Sequence, residues 1–375
     1  LDAMGAGVPT ISTVTGARGL GAEFRNGLVV VPDHDHDAFA DHIIRLSKDA
    51  DLRRSLGRAA FADAQRWNEG QLAALDRCLR GDAFAEVVHS RHACRRDRTR
   101  APPFRRPDRR MKLLYTNFHS GSGGGHTTYI RELARGLSER HEVHVAAPED
   151  SRLLREARGI PGLHAFAQTY PNGLRLRPAR RRACARLHAY LKEHRFDIVH
   201  VNGSADHRLV IAALRGLHPR PLVVLTKHNT KPMRGMQHGW RARAGTDKVI
   251  AVCEFVRHQL SHTPYRRCRP ETVYNGVDTA FYSPAEPADR VDARQLWIGS
   301  NAGTADYKGW TDLVEALALL TPDERGRIQV VIAGHPPSAA QREMLARSGL
   351  QDRFHFPGLL DDVRPMIARL DAGFV

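Results

Sequence analysis

The sequence has few cysteines. Cys78, Cys94, Cys184, Cys253 and Cys268 make an odd number with no C-x-x-C spacing. A disulfide framework or a zinc ribbon is therefore not expected, and a reducing compartment fits. No apolar run reaches the roughly 18 residues that a membrane-crossing helix needs. The first residues lack the basic-then-apolar pattern of a secretory leader. Acidic residues are in deficit, 41 Asp and Glu against 57 Lys and Arg, for a formal charge of +16. Much of that excess sits in His89–Arg110, where nine arginines face only Asp97 and Asp108. No alternation of basic and aromatic residues accompanies the charge, so nucleic acid is not an expected partner. The tract reads as a solvated tail, with an anionic membrane surface or nucleic acid as the functional alternatives.

What is present suffices for packed cores. Hydrophobic residues make up 42% and charged residues 26% of 375 positions, enough for two or three domains. The chain opens on Leu1 within a helix-like apolar stretch and closes on a strand-like Asp371–Val375, so a fragment is expected.

Buried-strand runs alternate with helical periodicity from end to end. In the first 80 residues, strand patterns at Val8–Thr13 and Gly27–Pro32 precede helical ones at Ala38–Leu46 and Leu52–Trp67. Residues 81–110 carry Arg, Pro and Asp without period and read as a disordered linker. From Met111 a strand (Met111–Thr116), a glycine loop (Gly121–Gly125), a helix (Tyr129–Leu137) and a strand (Glu142–Ala147) form a βαβ unit. Further strands are expected at 197–202, 222–226, 248–252 and 271–274. A second α/β unit follows from about Ala285, with strands at 295–299, 329–333, 354–356 and 372–375 and helices at 309–320, 339–348 and 363–370. Such alternation predicts doubly wound parallel sheets with right-handed crossovers.

Three places carry chemistry. Gly121-Ser-Gly-Gly-Gly-His126 joins a strand to a helix start, where glycine lets backbone approach a ligand and unpaired N–H groups favour phosphate. Many strand-to-helix turns use glycine for their own conformation, so both readings stand. The loop lacks the G-x-G-x-x-G pattern of dinucleotide binders. Lys308-Gly309 opens another helix, where lysine acts as a point charge for phosphate or as an ordinary exposed residue. His228 follows the strand 222–226 at its carboxyl end, where α/β sheets bind ligands. A loop histidine bonded to backbone is the competing reading.

In order, Gly124-Gly125, Tyr129-Ile-Arg-Glu-Leu-Ala-Arg-Gly-Leu137, His141-Glu-Val-His-Val145, Asp197-Ile-Val-His-Val201, Val249-Ile-Ala-Val-Cys-Glu-Phe-Val256, Val273-Tyr-Asn-Gly-Val-Asp278, Lys308-Gly-Trp-Thr-Asp-Leu313, Val331-Ile-Ala-Gly334 and Phe356-Pro-Gly358 resemble glycosyltransferase family 4 over residues 111–375. Residues 1–80 resemble the closing part of the same family, through Leu1-Asp-Ala-Met-Gly-Ala-Gly-Val-Pro9, Asn26-Gly27 and Leu52-Arg-Arg-Ser-Leu-Gly57. The parts thus run tail, linker, head, as a circular permutation or as a join of two neighbouring transferases.

The resemblance implies a GT-B fold of two Rossmann-like domains with a cleft between them. Residues 1–80 and the truncated 285–375 would belong to the nucleotide-sugar-binding domain, and 111–284 would form the acceptor-side domain. It implies sugar transfer with retention from a nucleoside-diphosphate sugar to a cell-surface glycan or lipid-linked acceptor, without a metal or other cofactor. Gly124 and Gly125 would approach the donor diphosphate, His228 the transferred sugar and Lys308 the leaving diphosphate. Asp2 would stand where the family has the second glutamate of its E-x7-E motif, on the ribose hydroxyls. The first glutamate has no counterpart here. Gly303 occupies the spacing at which the family has an arginine. The basic stretch Arg175–Arg186 would touch an anionic membrane, giving a cytoplasmic protein placed peripherally at the inner face. The competing functions are an inactive fragment or fusion, a GT-B sugar-nucleotide epimerase and a basic nucleic-acid-binding protein.

Overall fold

The computed structural model describes residues 1–20, 26–80, 110–173, 176–284 and 295–375. The expected linker, but for Arg110, and Arg175 of the basic stretch lie outside those residues. The described chain forms two compact units, Leu1–Leu72 with Gly276–Val375, and Ala73–Asn275.

The first unit combines both ends of the chain. Helix α1 (Asp2–Gly5), strands β1 (Thr10–Thr13) and β2 (Leu28–Val31), helix α2 (His36–Lys48) and, up to Leu72, helix α3 (Ala50–Arg80) come from the first segment. The second supplies β10 (Leu296–Ser300), α10 (Trp310–Ala318), α11 (Pro322–Gly326), β11 (Ile328–Ala333), α12 (Ala339–Arg347), β12 (Phe354–Gly358), α13 (Arg364–Ile367) and β13 (Ala372–Phe374). They build one parallel six-stranded sheet in the order β12-β11-β10-β13-β1-β2. Thr10 pairs with Gly373 and Ile11 with Phe374, and Ser12 Oγ donates to the Val375 carbonyl at 2.8 Å. The strand expected at Val8–Thr13 thus pairs with a strand of the C-terminal segment, and the two segments share one sheet.

Side-chain patterning explains the joint core. On α2, Phe39, Ala40, Ile43 and Leu46 recur at helical spacing and are buried. On α10, Leu313, Val314 and Leu317 meet them in one cluster with Ile11, Ile298 and Phe374. The segment 276–284, grouped by sequence with residues 111–275, packs in this first unit instead. Val277 N donates to Asn68 Oδ1 at 3.0 Å, Tyr282 packs beside Val8 and Ile367, and Arg364 covers the Phe281 ring at 3.9 Å.

The second unit runs β3 (Lys112–Thr116), α4 (Gly125–Ser138), β4 (Glu142–Ala147), α5 (Arg152–Gly159), β5 (Leu163–Ala167), α6 (Arg177–His194), β6 (Ile198–Val201), α7 (Ser204–Ala213), β7 (Leu222–Lys227), α8 (Met236–Ala244), β8 (Lys248–Ala251), α9 (Glu254–Ser261) and β9 (Glu271–Thr272). Its seven strands are parallel in the order β5-β4-β3-β6-β7-β8-β9. Near-continuous burial of β4, β6 and β8 reflects helices on both faces. Helix α6 buries Ala183, Leu187 and Leu191 and exposes Arg177, Arg180, Arg181, Arg182 and Arg186. Both units are Rossmann-like doubly wound sheets, as expected. Among the described residues no helix is long and apolar enough to cross a membrane.

Candidate functional site

In the second unit, β3 and β6 are neighbours although two strands separate them along the chain. Strand order reverses there, so the loops leaving their carboxyl ends diverge and open a crevice. A cavity of about 550 Å³ lies at these ends, with Gly124, Gly125, His126, Asn202, Lys227 and His228 in its wall.

The glycines of the first loop differ in purpose. Gly121 and Gly123 have φ of 65° and 67°, in the left-handed region that favours glycine. A Cβ on Gly123 would also strike Thr127 Oγ1 at 2.1 Å. Gly124 and Gly125 have neither constraint, and a Cβ on either would meet nothing within 4 Å. Packing therefore does not require glycine at these two positions. Gly124 is the N-cap of α4 and no side chain caps that helix. First-turn N–H groups beside open space are suited to an anion.

His228 is positioned through Asn202. The Asn202 amide Nδ2 donates to the carbonyls of Thr116 and His200 at 3.3 and 3.4 Å. Its Oδ1 is thereby turned to His228 Nε2, 3.0 Å away, so Nε2 carries the proton and Nδ1 is the acceptor. Asn202 N donates in turn to Asp206 Oδ2 at 2.9 Å, and the same oxygen accepts from Thr116 Oγ1 at 2.8 Å. Burial, then His126, His200, Lys227 and His119, hold the His228 pKa far below the usual imidazole range. The ring is neutral at pH 7 and acts by hydrogen bonding.

Two histidines that the sequence reading did not assign adjoin it. The His126 ring lies 4.3 Å from that of His228, and His119 lies 4.9 Å from His126, between centroids. Burial, then His119 and Lys227, lower His126 to about 4, and its buried Nδ1 has no partner among the described residues. Their signal was faint, because each histidine is ordinary locally and the stretch from β3 into α4 that carries His119 and His126 meets His228 only where β7 ends. Burial lowers Lys227 to about 8, with Lys231 adding to the effect.

The remaining expected residues lie in the first unit. Lys308 ends a 3₁₀ turn, Asp306–Lys308, and Gly309 (φ 70°) joins it to α10. Asp2 Oδ2 accepts from Asn301 Nδ2 at 2.8 Å, which places α1 beside the loop leaving β10. Gly303 has φ 73°, and a Cβ there would sit 3.0 Å from His335 N. An arginine at Gly303 would therefore be strained. Two trios among the described residues have donor atoms close enough to hold an ion, His34–His36–Asp312 and Glu142–His144–His164. None of these residues lines the cavity.

Residues 123–281 match the model of glycosyltransferase family 4. No curated protein matches the chain. Among solved structures, Anabaena HepE, in complex with UDP and glucose, is similar at 19% identity over 70% of this chain and 73% of its own, with a TM-score of 0.54. A glycosyltransferase from Rickettsia africae gives 17%, 70%, 71% and 0.54. Sucrose-phosphate synthase from Thermosynechococcus elongatus gives 16%, 69%, 73% and 0.51. At such identities the likeness is one of fold, and that fold is GT-B. The family match, lying on the unit that holds the cavity, supports a glycosyltransferase resembling family 4.

Proposed function

We propose that the chain transfers a sugar from a nucleoside-diphosphate sugar to a cell-surface glycan or lipid-linked acceptor, with retention. The observation that carries this reading is the meeting of an uncapped, unobstructed helix start at Gly124–Gly125 with the neutral, oriented His228 in one cavity. The diphosphate binds the N–H groups of α4, and Lys227 and Lys231 in the cavity wall add positive charge. His228 Nδ1 accepts a hydroxyl of the transferred sugar. Lys308 stabilises charge on the leaving diphosphate, an electrostatic contribution that grows in the transition state. Asp2 Oδ1 accepts a ribose hydroxyl while Oδ2 stays with Asn301. In this reading the first unit binds nucleotide and the second takes the acceptor. The exposed arginines of α6 give a basic surface suited to anionic lipid, and so to peripheral membrane contact. HepE, with UDP and glucose in its complex, motivates a uridine donor as the first probe.

Calorimetric titration of UDP-glucose and GDP-mannose into the chain tests the proposal. Saturable binding of one of them, displaced by its free nucleoside diphosphate, is expected. Saturable binding of neither removes the donor site.

A further inference from the structure

We propose that His34, His36 and Asp312 form a binding site for a divalent transition-metal ion, zinc first, that clips the turn between β2 and α2 to the first turn of α10. The H-x-H spacing of His34 and His36 is local, but the third ligand does not stand near it in the sequence. The two histidines stand 278 and 276 residues from the aspartate.

The segment Pro32-Asp33-His34-Asp35-His36 divides its work. Asp33 accepts from Thr15 N and Thr15 Oγ1, both at 2.8 Å. Asp35 caps α2 by accepting from Ala38 N at 3.0 Å. The aspartates thus fix the turn, and both histidine rings converge on Asp312. His34 Nδ1 lies 3.2 Å and His36 Nε2 3.1 Å from Asp312 Oδ1. His34 has φ 62°, a left-handed conformation in which glycine would cost less.

The frame holding these donors does not depend on them. Phe39, Ile43, Leu313, Val314 and Leu317 pack α2 against α10 in one core, and the Asp312 side chain is only 18% exposed. All three donor atoms lie within 4.8 Å of one another. The two N···O separations approach the edge of a tetrahedron with zinc bonds of about 2.0–2.2 Å, roughly 3.3 Å. Two neutral imidazoles and one carboxylate suit borderline ions such as Zn²⁺ or Co²⁺ over Mg²⁺ or Ca²⁺, with a position left for water. The other trio is less suited. Glu142 is held by Lys112 at 3.0 Å, and both His144 nitrogens are engaged, by Tyr190 and Glu142. Asp312 N donates to the Gly309 carbonyl at 3.0 Å, so an ion held here would steady the turn that carries Lys308.

The test titrates the metal-free full chain with Co²⁺, reads its visible absorption, and then displaces it with Zn²⁺. The variants are His34→Asn, which retains a residue tolerant of positive φ, and His34→Asn/His36→Gln. A single Co²⁺ with intense four- or five-coordinate absorption is expected in the parent. Binding should weaken more than about a hundredfold in the single variant, beyond the loss of an outer-shell partner, and the intense band should vanish in the double one. Zn²⁺ should raise the melting temperature of the parent alone. No intense absorption in the parent, or an unchanged band in a variant whose metal-free circular dichroism matches the parent, would overturn the proposal. If the double variant does not fold, the single variant decides the matter.

Discussion

His228 donates its Nε2–H to Asn202 Oδ1 across 3.0 Å, and two backbone carbonyls hold that amide in place. The imidazole therefore enters the cavity in one tautomer and uncharged. In the proposed sugar transfer its contribution would be an oriented hydrogen bond.

His228→Ala should lower turnover about 10²–10³-fold, the range for loss of one oriented transition-state contact. Donor affinity should change only a few-fold, because an interaction strengthened in the transition state acts on kcat. Steady-state kinetics with calorimetry separates the two. Normal turnover with only a raised KM would remove His228 from the reacting end.

Lys308→Ala should weaken binding of a nucleoside-diphosphate sugar about tenfold or more, as for one charge-assisted contact of about 1.5–3 kcal/mol. Binding of the uncharged nucleoside should not change. Equal donor affinity in parent and variant would take Lys308 out of the site. Gly303→Arg should not compensate, given its positive φ and the nearby His335 backbone.

Stability should fall steeply on acidification. His200 and His207 are fully buried and each is lowered to about 3, by burial first and, for His207, by Arg241 next. Unfolded histidine takes a proton near pH 6.5, so between about pH 6.5 and 3 the unfolded chain binds more protons than the folded one. Stability from these two groups is complete above that window and is lost as pH falls through it, at up to about 2–3 kcal/mol per pH unit. Urea denaturation from pH 7.5 to 4.5 measures this. A flat profile would contradict the burial of both neutral rings.

Two glycine substitutions should move stability in opposite directions. A Cβ on Gly27 would lie 2.1 Å from Ala60 Cα, so Gly27→Ala should cost about 1–3 kcal/mol through overpacking. Gly70 lies inside α3 with nothing within 4 Å of a Cβ, so Gly70→Ala should add about 0.5–1 kcal/mol. Thermal melts of the pair check the packing of α3 on the turn before β2. Loss of stability from both would contradict it.

Much of this fold was legible because its strands are buried on both faces. Ile328–Ala333 and Glu142–Ala147 read as strands rich in Val, Ile and Ala, and their bounds moved by one residue or none. Strand β5 was missed because Leu163-His-Ala-Phe-Ala167 is a half-buried edge whose small and polar residues blur any period. Helix α4 begins at Gly125, not Tyr129, because its first turn is built from glycine, histidine and threonine, which carry no apolar repeat. His228 and the Gly124–Gly125 loop were legible because each follows a strand at its carboxyl end. His119, His126 and Asn202 were not, since only the neighbouring of β3 and β6 brings their loops together. The Asp2–Asn301 contact depends likewise on pairing between the two ends of the chain.

Gly125→Asp asks whether the start of α4 receives the donor diphosphate. A Cβ there meets nothing within 4 Å, and a carboxylate in the first turn favours the helix by about 0.3–1 kcal/mol. The variant should melt at the parent temperature or slightly above it. Its negative charge would stand where the diphosphate must sit, so calorimetric binding of UDP-glucose or GDP-mannose should be lost. A folded Gly125→Asp variant that binds the donor as tightly as the parent would place the diphosphate away from this helix start.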